Sequence, residues 1–190
     1  MSRGYTASES RVFKNDTSDT KDATRAILNG FGNLISEKYV KNLLPEERAE
    51  LAREYKVANR AYDKNGPAGL KSNEDAAARS KYVADAIEEW KQKQAERDAI
   101  YDNITAQIKE GQLEPRKNFS EKELRKIAFD AHKEGDDTVR SYDASEDSRI
   151  DFQKAIDETG SEEKATRKIA TFIKEMKDEY TQKAIEDAIQ

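Results

Sequence analysis

The sequence predicts an all-α protein, elongated and built of about six helices, with two small helical lobes joined by one long heptad-patterned helix. Three observations predict this. Between Asn73 and Gly111, the residues Val83, Ile87, Trp90, Gln94, Arg97, Tyr101, Ile104 and Ile108 recur at alternating steps of four and three, which sets all eight on one helical seam. Only 3 prolines and 8 glycines interrupt 190 residues, so there is little to break helices. No sustained apolar–polar alternation marks strands. At about 1.5 Å per residue the seam helix rises about 55 Å, too long for one compact bundle and suited to a spine with a lobe at each end.

The elements follow in order. Residues 1–18 are polar and aperiodic, rich in serine, threonine and charge, and are expected to form a flexible arm with Val12 and Phe13 as its only anchor. The N-terminal lobe with the spine is expected over residues 19–111. Its first helix starts near Asp19 or Thr20 and carries Ala23, Ile27, Phe31, Leu34, Ile35 and Tyr39. The run Asn29-Gly30-Phe31-Gly32-Asn33 should weaken or bend it, and a hinge there would present Phe31 to a partner. The second helix opens with Pro45 at a first-turn position and Glu46 and Glu47 at the positive end of its dipole. Asn65-Gly66-Pro67 stops it. A short loop then leads into the spine, so the second helix and the first half of the spine should pair antiparallel.

Residues 112–190 are expected to form an acidic C-terminal lobe of three helices. In Phe119-Ser120-Glu121-Lys122-Glu123-Leu124, Ser120 and Glu123 have capping-box spacing, and Phe119 and Leu124 have hydrophobic-staple spacing. The helix that follows is expected to end at Glu134, with Gly135 as its stop. A fifth helix spans about Ser145 to Thr159 before Gly160. Ser161 caps a sixth, whose stripe is Ala165, Ile169, Phe172, Ile173, Met176, Tyr180, Ala184 and Ile185.

Composition narrows the function classes. Charged residues reach 38%, against about a quarter in ordinary domains, so the core is thin and the surface heavily solvated. With no cysteine, disulfides, thiolate metal sites and cysteine nucleophiles are excluded. The N-terminus lacks the apolar run of a signal peptide, and no stretch is long and apolar enough to span a membrane, so a cytoplasmic location is expected. Residues 136–190 hold 15 acids against 9 bases, a net −6, which leaves residues 1–135 at +1 within the total of −5. That balance argues against a general nucleic-acid binder.

Few residues carry chemistry. His132 is the sole histidine, so any histidine-based mechanism must use it. A helical wheel places it beside Arg125, both at the margin of the apolar strip Leu124, Ile127, Ala128 and Ala131. Arg125, with six residues before His132, is similar to the Arg-x(4–6)-His element of HEPN-type RNases, which are all-helical. The resemblance implies metal-independent RNA cleavage, with Arg125 and His132 near the scissile phosphate; Lys126 stands where that family often has a polar residue after its arginine. The densest bases lie in the same region. Arg116, Lys117, Lys122, Arg125 and Lys126, with Phe119 among them, are the candidate phosphate contacts, interleaved with Glu114, Glu121 and Glu123. Helix four, Gly135 and the segment Thr138–Tyr142 faintly resemble a helix-turn-helix. His132, Glu134 and Asp136 are the only group near a metal-ligand pattern, and without a second histidine or a cysteine no metal or cofactor is expected.

Gln94 and Arg97 interrupt the apolar seam. Buried, they would cost free energy unless satisfied; on a bare stretch of spine between the lobes they would meet solvent or a partner, and that is the reading taken here. The chain is therefore read as a non-enzymatic protein-binding helical protein, an adaptor, inhibitor or assembly factor, with Gln94, Arg97 and Phe31 as partner-surface candidates. Another protein is the expected partner, and self-association through the spine is a second possibility. The alternative is a nucleic-acid-directed protein using residues 115–142, in its enzymatic form a metal-independent RNase through Arg125 and His132.

Overall fold

In the computed structural model, which describes residues 12–190, all regular structure among the described residues is helical, and no strand occurs among them. Seven helices follow one another among the described residues: α1 (Ser18–Phe31), α2 (Glu37–Asn42), α3 (Pro45–Asn65), α4 (Ser72–Lys109), α5 (Glu121–Asp143), α6 (Glu146–Thr159) and α7 (Glu162–Ile189). Their ends are set by local chemistry. The hydroxyls of Thr17, Ser36, Ser120 and Ser161 each accept a bond from the backbone N–H three residues on, opening α1, α2, α5 and α7. Pro45 opens α3, where the Glu47 carboxylate accepts from the Leu44 N–H at 2.9 Å. Gly160 closes α6 at φ 79°, a left-handed conformation that glycine adopts without steric cost.

The count exceeds the expected six because the glycine-flanked Phe31 marks an end rather than a bend. α1 stops at Phe31, Gly32 caps it, and Ser36 opens the separate α2. The long helix is continuous over 38 residues, through both polar seam positions.

The chain divides into two compact units, Met1–Ala95 and Glu96–Gln190. The division falls inside α4, not after it at Gly111. In the first unit, Ile27, Ile35, Val40, Leu51, Val83, Ile87 and Trp90 are buried in one core, with Tyr55 and Leu28 packed against it. Trp90 donates its indole N–H to Glu50 Oε1 at 3.0 Å and meets the Tyr39 ring edge-on at 6.4 Å, so its polar edge is satisfied while the ring fills the core.

Of the expected N-terminal arm, residues 1–11 lie outside the described residues. Residues 12–17 belong to the folded unit. Phe13 is buried in the core, and the Asp16 carboxylate takes a two-pronged bond from Arg48: Nε to Oδ2 at 2.7 Å and Nη2 to Oδ1 at 3.0 Å. Arg48 also donates to the carbonyls of Leu43 at 2.6 Å and Val12 at 3.3 Å, and its guanidinium lies 5.0 Å from the Phe13 ring. Both charged side chains are all but fully buried, which is tolerable because the charges are paired and every nitrogen of the guanidinium and both carboxylate oxygens are hydrogen-bonded.

In the second unit the core is Ile104, Leu113, Leu124, Ala128, Ala131, Ile185 and Ile189. α7 packs along both α5 and α6. Gly135 does not stop α5, which runs on to Asp143. It serves close packing instead: a Cβ there would lie 2.4 Å from Thr181 Oγ1 and 3.2 Å from the Lys177 carbonyl. The unbroken helix also removes the turn that a helix-turn-helix would need at this point. No helix among the described residues is long and apolar enough to cross a membrane.

Candidate functional site

The one histidine sits in a closed electrostatic ring. α5 carries His132 and, one turn on, Asp136; the second half of α4 brings Glu96; and the glycine contact at 135 lets α7 lay Lys177 against them. His132 Nε2 is 2.7 Å from Glu96 Oε2, and Nδ1 is 3.5 Å from Asp136 Oδ2, at the outer limit of a hydrogen bond. Lys177 Nζ completes the ring, 3.0 Å from Asp136 Oδ1 and 3.5 Å from Glu96 Oε2. The bond from His132 holds the Glu96 carboxyl below the ordinary carboxylate range, with Lys177 helping and burial opposing. An ionised carboxylate only accepts, so the proton of the shared bond sits on Nε2. Burial by itself would lower the Lys177 pKa; its bonds to Asp136 and Glu96 outweigh that and raise it.

Sequence reasoning placed His132 at a solvated margin. Its side chain is 1% exposed, so α5 turns a broader face inward than its aliphatic strip alone defines. A general acid or base must come within hydrogen-bond reach of the atom it serves, about 2.6–3.2 Å. Here the Nε2 side of the ring is taken by Glu96, and Nδ1 is out of contact with solvent. Arg125 goes elsewhere. Its Nε donates to Glu121 Oε1 at 3.2 Å, its Nη1 to Asp98 Oδ1 at 3.3 Å, and its guanidinium lies 4.2 Å from the Tyr101 ring. Burial raises the Asp98 pKa against the pull of Arg125. No hydrogen bond or ion pair joins Arg125 to His132 among the described contacts. Glu134 is exposed and takes no part in the ring. The cation between the two carboxylates is Lys177, and no metal-holding group of three or more His, Asp or Glu occurs among the described residues.

The basic segment is locally neutralised. Lys117 pairs with Glu123 at 2.5 Å, and that bond is the main reason the Glu123 pKa is lowered. Lys126 pairs with Asp130 at 3.0 Å. The side chains of Arg116 and Lys117 lie 5.2 and 5.1 Å from the partly buried Phe119 ring, a cation–π arrangement. Lys122 is exposed. These bases share a surface whose acids are woven among them.

Gln94 and Arg97 depart from expectation most clearly. They are 4% and 3% exposed, not the solvent-facing stretch that the seam pattern predicts. Arg97 reaches the α5 ring of Phe129, its guanidinium 4.4 Å from the centroid. A polar seam residue is read as exposed when no partner is visible in sequence, and the aromatic platform for Arg97 is 32 positions away. Phe31, the third partner-surface candidate, is half-buried against the first unit's core.

Glu96 and Lys177 escaped the sequence reading because nothing local links positions 36 and 81 apart. The available signal was Gly135, a glycine inside a helical pattern, which marks close approach as often as an end. No family model, no curated protein and no solved structure matches this chain.

Proposed function

We propose that this chain is a non-enzymatic protein-binding helical protein, an adaptor, inhibitor or assembly factor that acts through exposed helix faces in the cytoplasm. One observation carries the reading. On α7, Phe172, Met176 and Tyr180 stand at successive four-residue steps, and Phe172 and Tyr180 are 43% and 42% exposed. Two partly exposed aromatic residues on one ridge, Phe172 with its ring edge-on to Tyr142 at 5.6 Å, are the kind of feature that marks interaction surfaces. The neighbouring α6 supports it: its only fully buried residue is Ala155, and it gives nothing to the unit's apolar core.

Self-association through α4 finds less support, because Val83, Ile87, Trp90 and Ile104 spend the seam on the chain's own cores. A second copy, like any other protein, is better accommodated at the α7 ridge. The nucleic-acid reading through residues 115–142 rests on Arg116, Lys122 and Lys133, the three cations there without a carboxylate partner among the described contacts; Lys117, Arg125, Lys126 and Arg140 each face an acid. As an RNase, the chain would have to expose His132 first.

The test is photo-crosslinking in the producing cell, with benzoylphenylalanine at position 172 and, as control, at position 122. A protein adduct formed from position 172 and lost in Tyr180→Asp is expected. Adducts only from position 122, removed by nuclease and weakened by salt, would favour the nucleic-acid alternative.

A further inference from the structure

The first unit holds a cleft that the ridge on α7 does not account for. It has a volume of about 390 Å³ and is lined on its apolar side by Phe31, Tyr55 and Val83 and on its polar side by Asn59, Asp75 and Arg79. That size falls in the range of small-ligand and side-chain pockets. Phe31, Tyr55 and Val83 tie its apolar part to the unit's core. Ser72, Ala76 and Ser80 form a wall of small side chains at four-residue steps on α4.

The polar groups are held in place by one another. Tyr62 donates its hydroxyl to Asp75 Oδ1 at 2.6 Å. Arg79 donates Nη1 to the carbonyl and to Oδ1 of Asn59, both at 3.3 Å, while Nη2 bonds Asp63. The Arg79 guanidinium also lies 4.7 Å from the Tyr62 ring. Its charge is shared between Asp63, which it bonds, and Asp75, which it feels through space, so one cation faces two carboxylates and the group keeps one net negative charge. Among the described contacts Asp75 Oδ2 accepts no bond. The cleft thus offers one fixed carboxylate oxygen beside two aromatic residues.

We infer that this cleft receives a basic side chain, a lysine or arginine of a protein partner, whose alkyl stem lies along Phe31, Tyr55 and Val83 and whose charge meets Asp75. The inference rests on the protein-binding reading. It adds a charge preference and a second point of contact in a different unit. A cation on an apolar stem satisfies both halves of the lining: the stem covers the rings and the head completes the carboxylate. A carboxylate on the same stem would face Asp75 directly.

The matched probes are 4-phenylbutylammonium and 4-phenylbutyrate, titrated into the full chain and followed by amide chemical shifts. The ammonium should give saturable shifts at Ala76, Ser80 and Phe31 with a millimolar dissociation constant, as befits a fragment of this size. The carboxylate should bind at least about tenfold more weakly, since like charges repel at short range. Asp75→Asn should abolish the preference, and Ala76→Leu, at an exposed helical position, should block both probes while preserving the remaining spectrum. Shifts of equal size from both probes, no saturable shift in the cleft, or an unchanged preference in Asp75→Asn would overturn the inference. Crosslinking at position 172 is read out in the other unit, so a failure here is distinct from a failure of the protein-binding reading.

Discussion

Replacing Asp16 with alanine should destabilise the first unit far more than a surface charge change does. Asp16 and Arg48 are 1% and 2% exposed at the side chain. Without the carboxylate, the guanidinium loses its two charge-assisted bonds and keeps only the carbonyls of Leu43 and Val12. An unmatched buried charge of this kind costs about 3–5 kcal/mol, a large share of the ~5–15 kcal/mol typical of a domain. The double variant Asp16→Leu with Arg48→Met removes both charges at once. Its loss should be smaller, about 1–3 kcal/mol, set by the two carbonyls left without donors. Trp90, the single tryptophan, lies in the core of this unit and reports its unfolding. In urea, with a slope of about 1–3 kcal/mol per molar, Asp16→Ala should lower the midpoint by about 2 M, and the double variant should recover part of it. An unchanged midpoint in Asp16→Ala, or a double variant weaker than the single, would refute the argument.

Three further outcomes follow from the second unit. Gly135→Ala gains about 1 kcal/mol of helix propensity but forces its Cβ onto Thr181 and the Lys177 carbonyl; it should be net destabilising by up to about 2 kcal/mol, and Thr181→Ala should rescue it non-additively in thermal melts. Glu96 has a lowered pKa, so its contribution is complete above the ordinary carboxylate range and is lost as pH falls through the folded value. With the side chain 57% exposed, that contribution is under about 1 kcal/mol after solvent screening, and Glu96→Gln should flatten the acid limb of the stability curve accordingly. Burial, then the bond to Asp151, pushes Tyr142 up to about 12 from 10.0. Its contribution is therefore present below pH 10 and lost between there and about pH 12; Tyr62, raised by its bond to Asp75, also ionises above the ordinary range, and the step near pH 12 in an absorbance titration should be the one missing in Tyr142→Phe.

How much was legible follows from the range over which each cause acts. Capping chemistry is local, so Ser120, Gly160 and Ser161 bounded their helices correctly in sequence. The long helix was legible because its period repeats through the polar pair. Two glycines show the limit. Phe31-Gly32 reads as a bend but ends a helix, and Gly135 reads as an end but lies inside one. What decides each case is the neighbour, Thr181 and Lys177 at Gly135, which sequence spacing does not reveal. The same holds for charge. Arg48 reads as part of a stripe until Asp16, 32 residues earlier, is seen beside it. Arg97 reads as a solvent contact until Phe129 is placed under it. His132 reads as a margin residue of its helix until Glu96, 36 residues earlier, is seen bonded to it.

The central proposal is that His132 is a buried packing residue and that the chain acts by binding, not by chemistry. Its most direct test is incubation of the purified protein with total RNA in chelator, beside Arg125→Ala and His132→Ala. Phosphodiester cleavage without metal needs a proton-transfer group and a cation at the phosphate, and the chain has no second histidine to supply the first. The account predicts intact RNA in all three reactions. Cleavage by the wild type that disappears in an Arg125→Ala variant with unchanged circular dichroism, Arg125 being a one-third-exposed side chain, would contradict it.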